Sequence, residues 1–175
     1  MSKEKKKEIF TFIIQLIVVF VLVTLVKTFL VANIMVRQSS MRNTFLDGDV
    51  LLLSKLNKDD ITRGDIIVFR NPDRTSDHKY FIKRVIGVEG DSIYILDDNR
   101  VLLNGELLDE DYVSPENNTN SFPGEWDVPE NSIFVMGDNR DNSNDSRAFG
   151  SIPRSDILGK IFFRVYPFSK FGGVE

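Results

Sequence analysis

The chain has 175 residues, 42% hydrophobic and 27% charged, enough apolar material for one ordinary domain and too much for a disordered tail. It has no cysteine, which excludes disulfides and thiolate nucleophiles, and a lone histidine, His78, which excludes a multi-histidine metal centre. A net charge of −4 argues against a general nucleic-acid binder.

The charge is unevenly placed. Residues 1–37 carry Lys3, Lys5, Lys6, Lys7, Lys27 and Arg37 against Glu4 and Glu8, a net of +4, which leaves −8 for residues 38–175. Residues 9–26 hold no charge at all, and a helix needs about 20 apolar residues to cross a hydrocarbon core. A cleaved secretory signal would be shorter and end in a small-x-small site, for which Val31-Ala32-Asn33 is poor. A buried soluble helix would carry a polar stripe, whereas only Thr11, Gln15 and Thr24 interrupt this run. The expectation is a basic cytoplasmic tail over 1–8 and a transmembrane helix over 9–31, with Lys27 snorkelling to the interface. The positive-inside rule then puts residues 32–175 on the extracytoplasmic side of a cell membrane, as a single-pass protein.

The body reads as mostly strand. Runs rich in β-branched and large apolar residues recur over 50–54, 65–69, 80–88, 92–96, 133–136 and 160–165. Gly-Asp pairs at 48–49, 64–65, 90–91 and 137–138 punctuate them. Asn104-Gly105, flanked by apolar arms over 101–108, has the centre of a type I′ hairpin. No long helical periodicity follows residue 35. The expected fold class is mainly β, a barrel-like antiparallel domain, with a loop or flap excursion over about 97–131.

Three stretches carry possible chemistry. Residues 137–150 (GDNRDNSNDSRAFG) are too polar for a strand and read as a solvated acidic turn or a calcium loop. The calcium reading lacks a closing glutamate and contains Arg140 and Arg147. The second stretch is Arg37-Gln38-Ser39-Ser40-Met41-Arg42-Asn43-Thr44-Phe45. The third is Tyr80-Phe81-Ile82-Lys83-Arg84-Val85-Ile86-Gly87, where alternation puts Lys83 on one face with Phe81 and Val85. Lys83 reads either as a snorkelling surface side chain or as a buried amine. Burial lowers a lysine pKa, and a neutral amine can serve as general base to a nearby serine without histidine.

Together, and in this order, the three stretches resemble the type I bacterial signal peptidases, membrane-anchored serine–lysine proteases of peptidase family S26. Residues 137–147 fit the Gly-Asp-Asn-Arg-x-x-Ser-x-Asp-Ser-Arg box at every fixed position. The resemblance implies a fold shared with SOS-type repressors, a Ser40 nucleophile and a Lys83 general base. It implies that Ser143 hydrogen-bonds the Lys83 amine, that Asp145 and Arg147 form a supporting ion pair, and that Asp138 and Arg140 hold the loop. The oxyanion would meet the Ser40 backbone N–H and, as second donor, Gln38. Ile34, Val36, Met41, Phe45, Phe81 and Ile82 would shape shallow pockets for small residues, Ala-x-Ala, before the cut. Partners implied are signal peptides of exported precursors and the lipid bilayer, with no nucleic acid; no cofactor and no metal are implied.

Two positions depart from the family pattern. Gln38 stands where a small residue is usual, and Asn43 stands where the family carries proline. The alternative reading is a signal-peptidase-like factor with little proteolysis, serving pilin or surface-protein assembly machinery. Such factors lack the serine and lysine that this chain keeps.

Overall fold

The structure, a computed structural model, describes residues 3–56, 60–120 and 122–174. Helix α1 (Lys3–Leu25) runs into a π-helical turn, Val26–Leu30, and no residue of either is buried. The helical stretch is long and apolar enough to cross a membrane, as a single-pass anchor requires. The Thr11 and Thr24 hydroxyls donate to the carbonyls of Lys7 and Phe20, so both are satisfied inside the helix, as lipid demands.

No linker separates helix from domain. Strand β1 (Val31–Met35) follows at once and pairs antiparallel with β2 (Val50–Ser54), Val31 opposite Ser54. Lys55 closes the corner: its backbone N–H donates to Leu30 O at 2.9 Å and its Nζ to Thr28 O at 2.8 Å. The chain continues through β3 (Ile66–Arg70), β4 (Tyr80–Val88), β5 (Ser92–Ile95), β6 (Val101–Leu103) and β7 (Glu106–Leu107). After β8 (Gly124–Asp127) and β9 (Ser132–Met136) comes one helical turn, α2 (Ser146–Phe149). Strands β10 (Ile152–Pro153), β11 (Ile157–Tyr166) and β12 (Gly172–Gly173) complete it.

The large sheet has the order β1-β2-β11-β3-β4-β9-β10, with β12 added to β11, and every pair is antiparallel. The mainly β, antiparallel class expected from sequence is what the chain adopts. The sheet is open rather than a closed barrel, because β1 and β10 remain edges among the described residues. Strand β3 is buried on both faces: Ile66 and Val68 join one apolar cluster, Ile67 and Phe69 another. That double burial explains its unbroken apolar sequence.

A second sheet, β7-β6-β5-β8, uses part of the segment read as an excursion. Asn104 (φ 54°) and Gly105 (φ 84°) form its expected hairpin turn, both in the left-handed region a type I′ turn needs. Strand β8 escaped the sequence reading because it is short and, among the described residues, pairs only with β5. It is fixed by Trp126, whose ring packs 5.4 Å from that of Phe134. A third cluster, including Ile86, Ile93, Val101 and Phe134, joins this small sheet to β4 and β9.

Where β11 crosses β2, a Cβ on Gly159 would lie 2.0 Å from Ser54 O. Gly159→Ala is expected to destabilise the full chain by about 1–3 kcal/mol. Denaturant unfolding in detergent measures this, and an unchanged midpoint contradicts so close an approach.

Candidate active site

Lys83 lies in the middle of β4, opposite Ile67 of β3, and only 1% of it is exposed. Its Nζ stands 2.7 Å from Ser40 Oγ, donates to Ile82 O at 3.1 Å, and sits 5.0 Å from the Phe81 ring centroid. Burial drives the amine from the ordinary 10.5 down to about 8. The Asp145 and Asp138 carboxylates oppose that fall, and the Arg147 guanidinium adds to it. The snorkelling alternative is thereby set aside: the side chain is inside.

Ser40 opens a tight turn just beyond β1. Its backbone is gripped from the 137–147 loop: Asn139 N–H donates to Ser40 O at 3.0 Å, and Asn139 Nδ2 to Ser39 O at 3.0 Å. Asn142 Nδ2 donates to Ser39 Oγ at 2.8 Å. The approach is close enough to require Gly137, where a Cβ would lie 2.5 Å from Ser40 O. Asn43 adopts φ 106°, a conformation closed to proline, so this turn differs from the proline-bearing one the resemblance suggested.

Carboxylate–guanidinium pairs stand behind the loop. Arg84 Nε and Nη2 donate to the two oxygens of Asp138 at 3.0 and 2.9 Å, and Thr44 Oγ1 donates to the same carboxylate. Arg147 Nε and Nη2 donate to Asp145 at 2.9 Å each, and Gly137 N–H donates to Asp145 at 3.0 Å. Burial alone would raise the Asp145 pKa; its bonds from Arg147 and Gly137 outweigh this and hold it low. Arg140 pairs with Glu110 and donates through Nε to Gly137 O at 3.1 Å. Asp138, Arg140, Asp145 and Arg147 thus gather where the motif suggested.

Two expected placements differ. Ser143 makes no hydrogen bond to Lys83. Its buried Oγ meets no partner in good geometry and sits over Gly137 beside Asp145, whose ionised form it favours. The amine instead turns to Ser40 and Ile82. Phe45 is wholly buried, beneath the Arg164 guanidinium at 5.0 Å, and belongs to the core rather than to a cleft wall.

The remaining candidates meet at two adjoining clefts. The first, about 330 Å³, is lined by Ile34, Val36, Gln38, Ser40, Met41 and Ile82, together with His78 and Tyr80. The second, about 370 Å³ and more polar, takes Gln38, Ser40, Phe81, Lys83, Asn142 and Asn144. Phe81 therefore sits in the second, beside the amine. Among the described residues, no three His, Asp or Glu side chains gather as a metal site. Asn139, Asn142, Thr44 and Glu110 were missed as site residues. The first two stand inside the recognised motif, so their amide chemistry was the available signal.

A family model described as signal peptidase, peptidase S26, matches residues 9–166. Signal peptidase I P of Bacillus subtilis subsp. natto is 36% identical, over 90% of this chain and 89% of its own. Probable signal peptidase I-2 of Synechocystis is 36% identical, over 84% of this chain and 68% of its own. Signal peptidase IB of Staphylococcus aureus is 33% identical, over 95% of this chain and 94% of its own.

Asp138→Ala would strand the Arg84 guanidinium, whose side chain is 5% exposed. The expected loss of stability is about 3–5 kcal/mol, read from denaturant unfolding. A loss under about 1 kcal/mol would mean that water or another group replaces the carboxylate.

Proposed function

The chain belongs to the signal peptidases of peptidase family S26, hydrolases acting on signal peptides of exported precursors, and from that premise we propose that Ser40 is the nucleophile and Lys83 its general base. The 2.7 Å approach of the buried Lys83 amine to Ser40 Oγ is the observation that carries this reading. A lysine near 8 is partly neutral at working pH, and its lone pair can accept the hydroxyl proton.

As the proton moves from Oγ to Nζ, Oγ bonds to the scissile carbonyl carbon. The developing oxyanion meets the Ser40 N–H at the open start of the turn and the Gln38 amide beside it. Collapse breaks the C–N bond while Lys83 returns the proton to the leaving amine. Water, deprotonated by the same amine, then attacks the Ser40 ester; the acyl C–Oγ bond breaks and Lys83 returns the proton to Oγ. Asp138, Arg140, Asp145 and Arg147 hold the loop that grips Ser40; Ser143 acts on Asp145 rather than on the base.

The first cleft takes the residues before the cut. Its shallow walls of Ile34, Val36, Met41 and Ile82, narrowed by Gln38, favour small side chains such as those of Ala-x-Ala. Phe81 borders the same substrate path next to the base. The lysine-rich start stays cytoplasmic, and the domain works outside, against the membrane surface. That suits a substrate whose own apolar segment lies in the bilayer.

Ser40→Ala and Lys83→Ala are each expected to lower cleavage of an Ala-x-Ala precursor by roughly a thousandfold or more while leaving the fold intact. Purified protein in detergent gives the comparison, and near-normal activity in either variant refutes the pair. For the native chain, kcat/KM should rise with pH and level off above about 8, as the amine loses its proton. A rate flat from pH 6 to 10 would rule out Lys83 as the titrating base.

A further inference from the structure

The segment between β7 and β8 reaches back across the outside of the catalytic loops. Its Tyr112 lays its ring 4.0 Å from the Arg84 guanidinium, on the pair that Arg84 makes with Asp138. Two residues earlier, Glu110 pairs with the buried Arg140, and its Oε1 also accepts a hydrogen bond from Tyr112 OH at 2.9 Å. Further along, the backbone N–H groups of Thr119 and Asn120 donate to Asp141 at 2.9 Å. On the serine side, Asn43 Nδ2 reaches Tyr112 O at 3.4 Å from a backbone at φ 106°. One strap therefore touches the turn that bears Ser40, the neighbour of Lys83, and the loop that grips Ser40.

These contacts are not spare packing. Arg84 and Arg140 are almost fully buried, and each has one carboxylate on the catalytic side or on the strap. Asp138, held by Arg84, also takes the Thr44 hydroxyl, so a shift of Arg84 moves the far end of the Ser40 turn. Arg140 holds Gly137 O through Nε, so a shift of Arg140 moves the residue packed on Ser40 O. Charged groups at such depth have few alternative positions once their partners are fixed. A left-handed Asn43 leaves the turn without proline's stiffness, and the strap supplies the missing restraint from outside.

We infer that Tyr112 and Glu110 are positioning residues for signal-peptide cleavage: through Arg84 and Arg140 they set the distance between the Ser40 hydroxyl and the Lys83 amine. The inference rests on the Ser40–Lys83 reading. It makes the second sheet part of the catalytic apparatus, since that sheet anchors both ends of the strap. Neither residue lines either of the two clefts, so their effect falls on turnover rather than on binding.

Steady-state kinetics of the full chain in detergent, on one Ala-x-Ala precursor, test this. Tyr112→Leu should lower kcat about tenfold or more with KM within about twofold, and Tyr112→Phe, which keeps the ring over Arg84, should stay within about threefold of native kcat. Both are measured well below their own melting temperatures, so lost stability does not mimic lost turnover. A folded Tyr112→Leu variant with native kcat, or with a defect in KM alone, overturns the inference. If Tyr112→Leu does not fold, Glu110→Gln decides: kcat lowered about threefold or more at constant KM supports it, and native kcat overturns it. Ser40→Ala runs alongside. Activity surviving in Ser40→Ala condemns the dyad itself, whereas a dead Ser40→Ala beside an unaffected Tyr112→Leu condemns only the strap.

Discussion

Everything in this molecule depends on keeping one primary amine out of water. Lys83 is held at about 8 where an exposed lysine would sit at 10.5. That difference is a destabilising contribution of about 3 kcal/mol, full below pH 8 and fading as pH rises toward 10.5. The fold accepts it. Lys83 occupies the centre of an interior strand, walled by Phe81 and Val85, with Ile67 across the ladder. Hydrogen bonds to Ser40 Oγ and Ile82 O satisfy the amine without restoring bulk solvation.

In the proposed mechanism, a buried base is useful only if the nucleophile cannot drift from it. Ser40 lies in a turn, not in the ladder, so its position has to be imposed by neighbours. The 137–147 loop imposes it from one side through Asn139, Asn142 and the bare backbone of Gly137. The loop is in turn stiffened by carboxylate–guanidinium pairs, which suit the task because bidentate geometry fixes orientation as well as distance. Asp145 and Asp138 also oppose the fall in the Lys83 pKa, which stands at about 8. Structure and proton affinity are set by the same groups. At the other end, β1 joins the apolar helix directly to the cleft wall, so the helix and the proposed active site share one strand.

How much of this could be read from the chain? The strands around the site were legible because each is bounded by a turn signal: 50–54 and 80–88 coincide with β2 and β4. The odd lysine in β4 was legible as a violation of its own strand's pattern, and the polar box at 137–147 through its match to the family motif, since composition alone left it a solvated turn or a calcium loop. Less visible was anything decided by long-range contact. Phe45 sits only a few residues from Ser40, yet its ring faces the core under Arg164, which sequence distance does not reveal. Ser143 has the right chemistry for a bond to the amine, but its Oγ is packed over Gly137 and makes none. Glu110 and Tyr112 lie in a segment whose composition speaks only of loop. Their value comes from where the second sheet delivers them.

The protonation equilibrium of Lys83 can be observed directly at one atom. Selective isotopic labelling of lysine, with Lys83 assigned by its loss in Lys83→Arg, lets its side-chain carbon next to Nζ be titrated by NMR in the detergent-bound chain. An amine kept from water in this way titrates with a midpoint near 8. A Lys83 midpoint at or above 10, the value of an exposed lysine, would mean the amine is solvated and cannot take the proton from Ser40 at neutral pH.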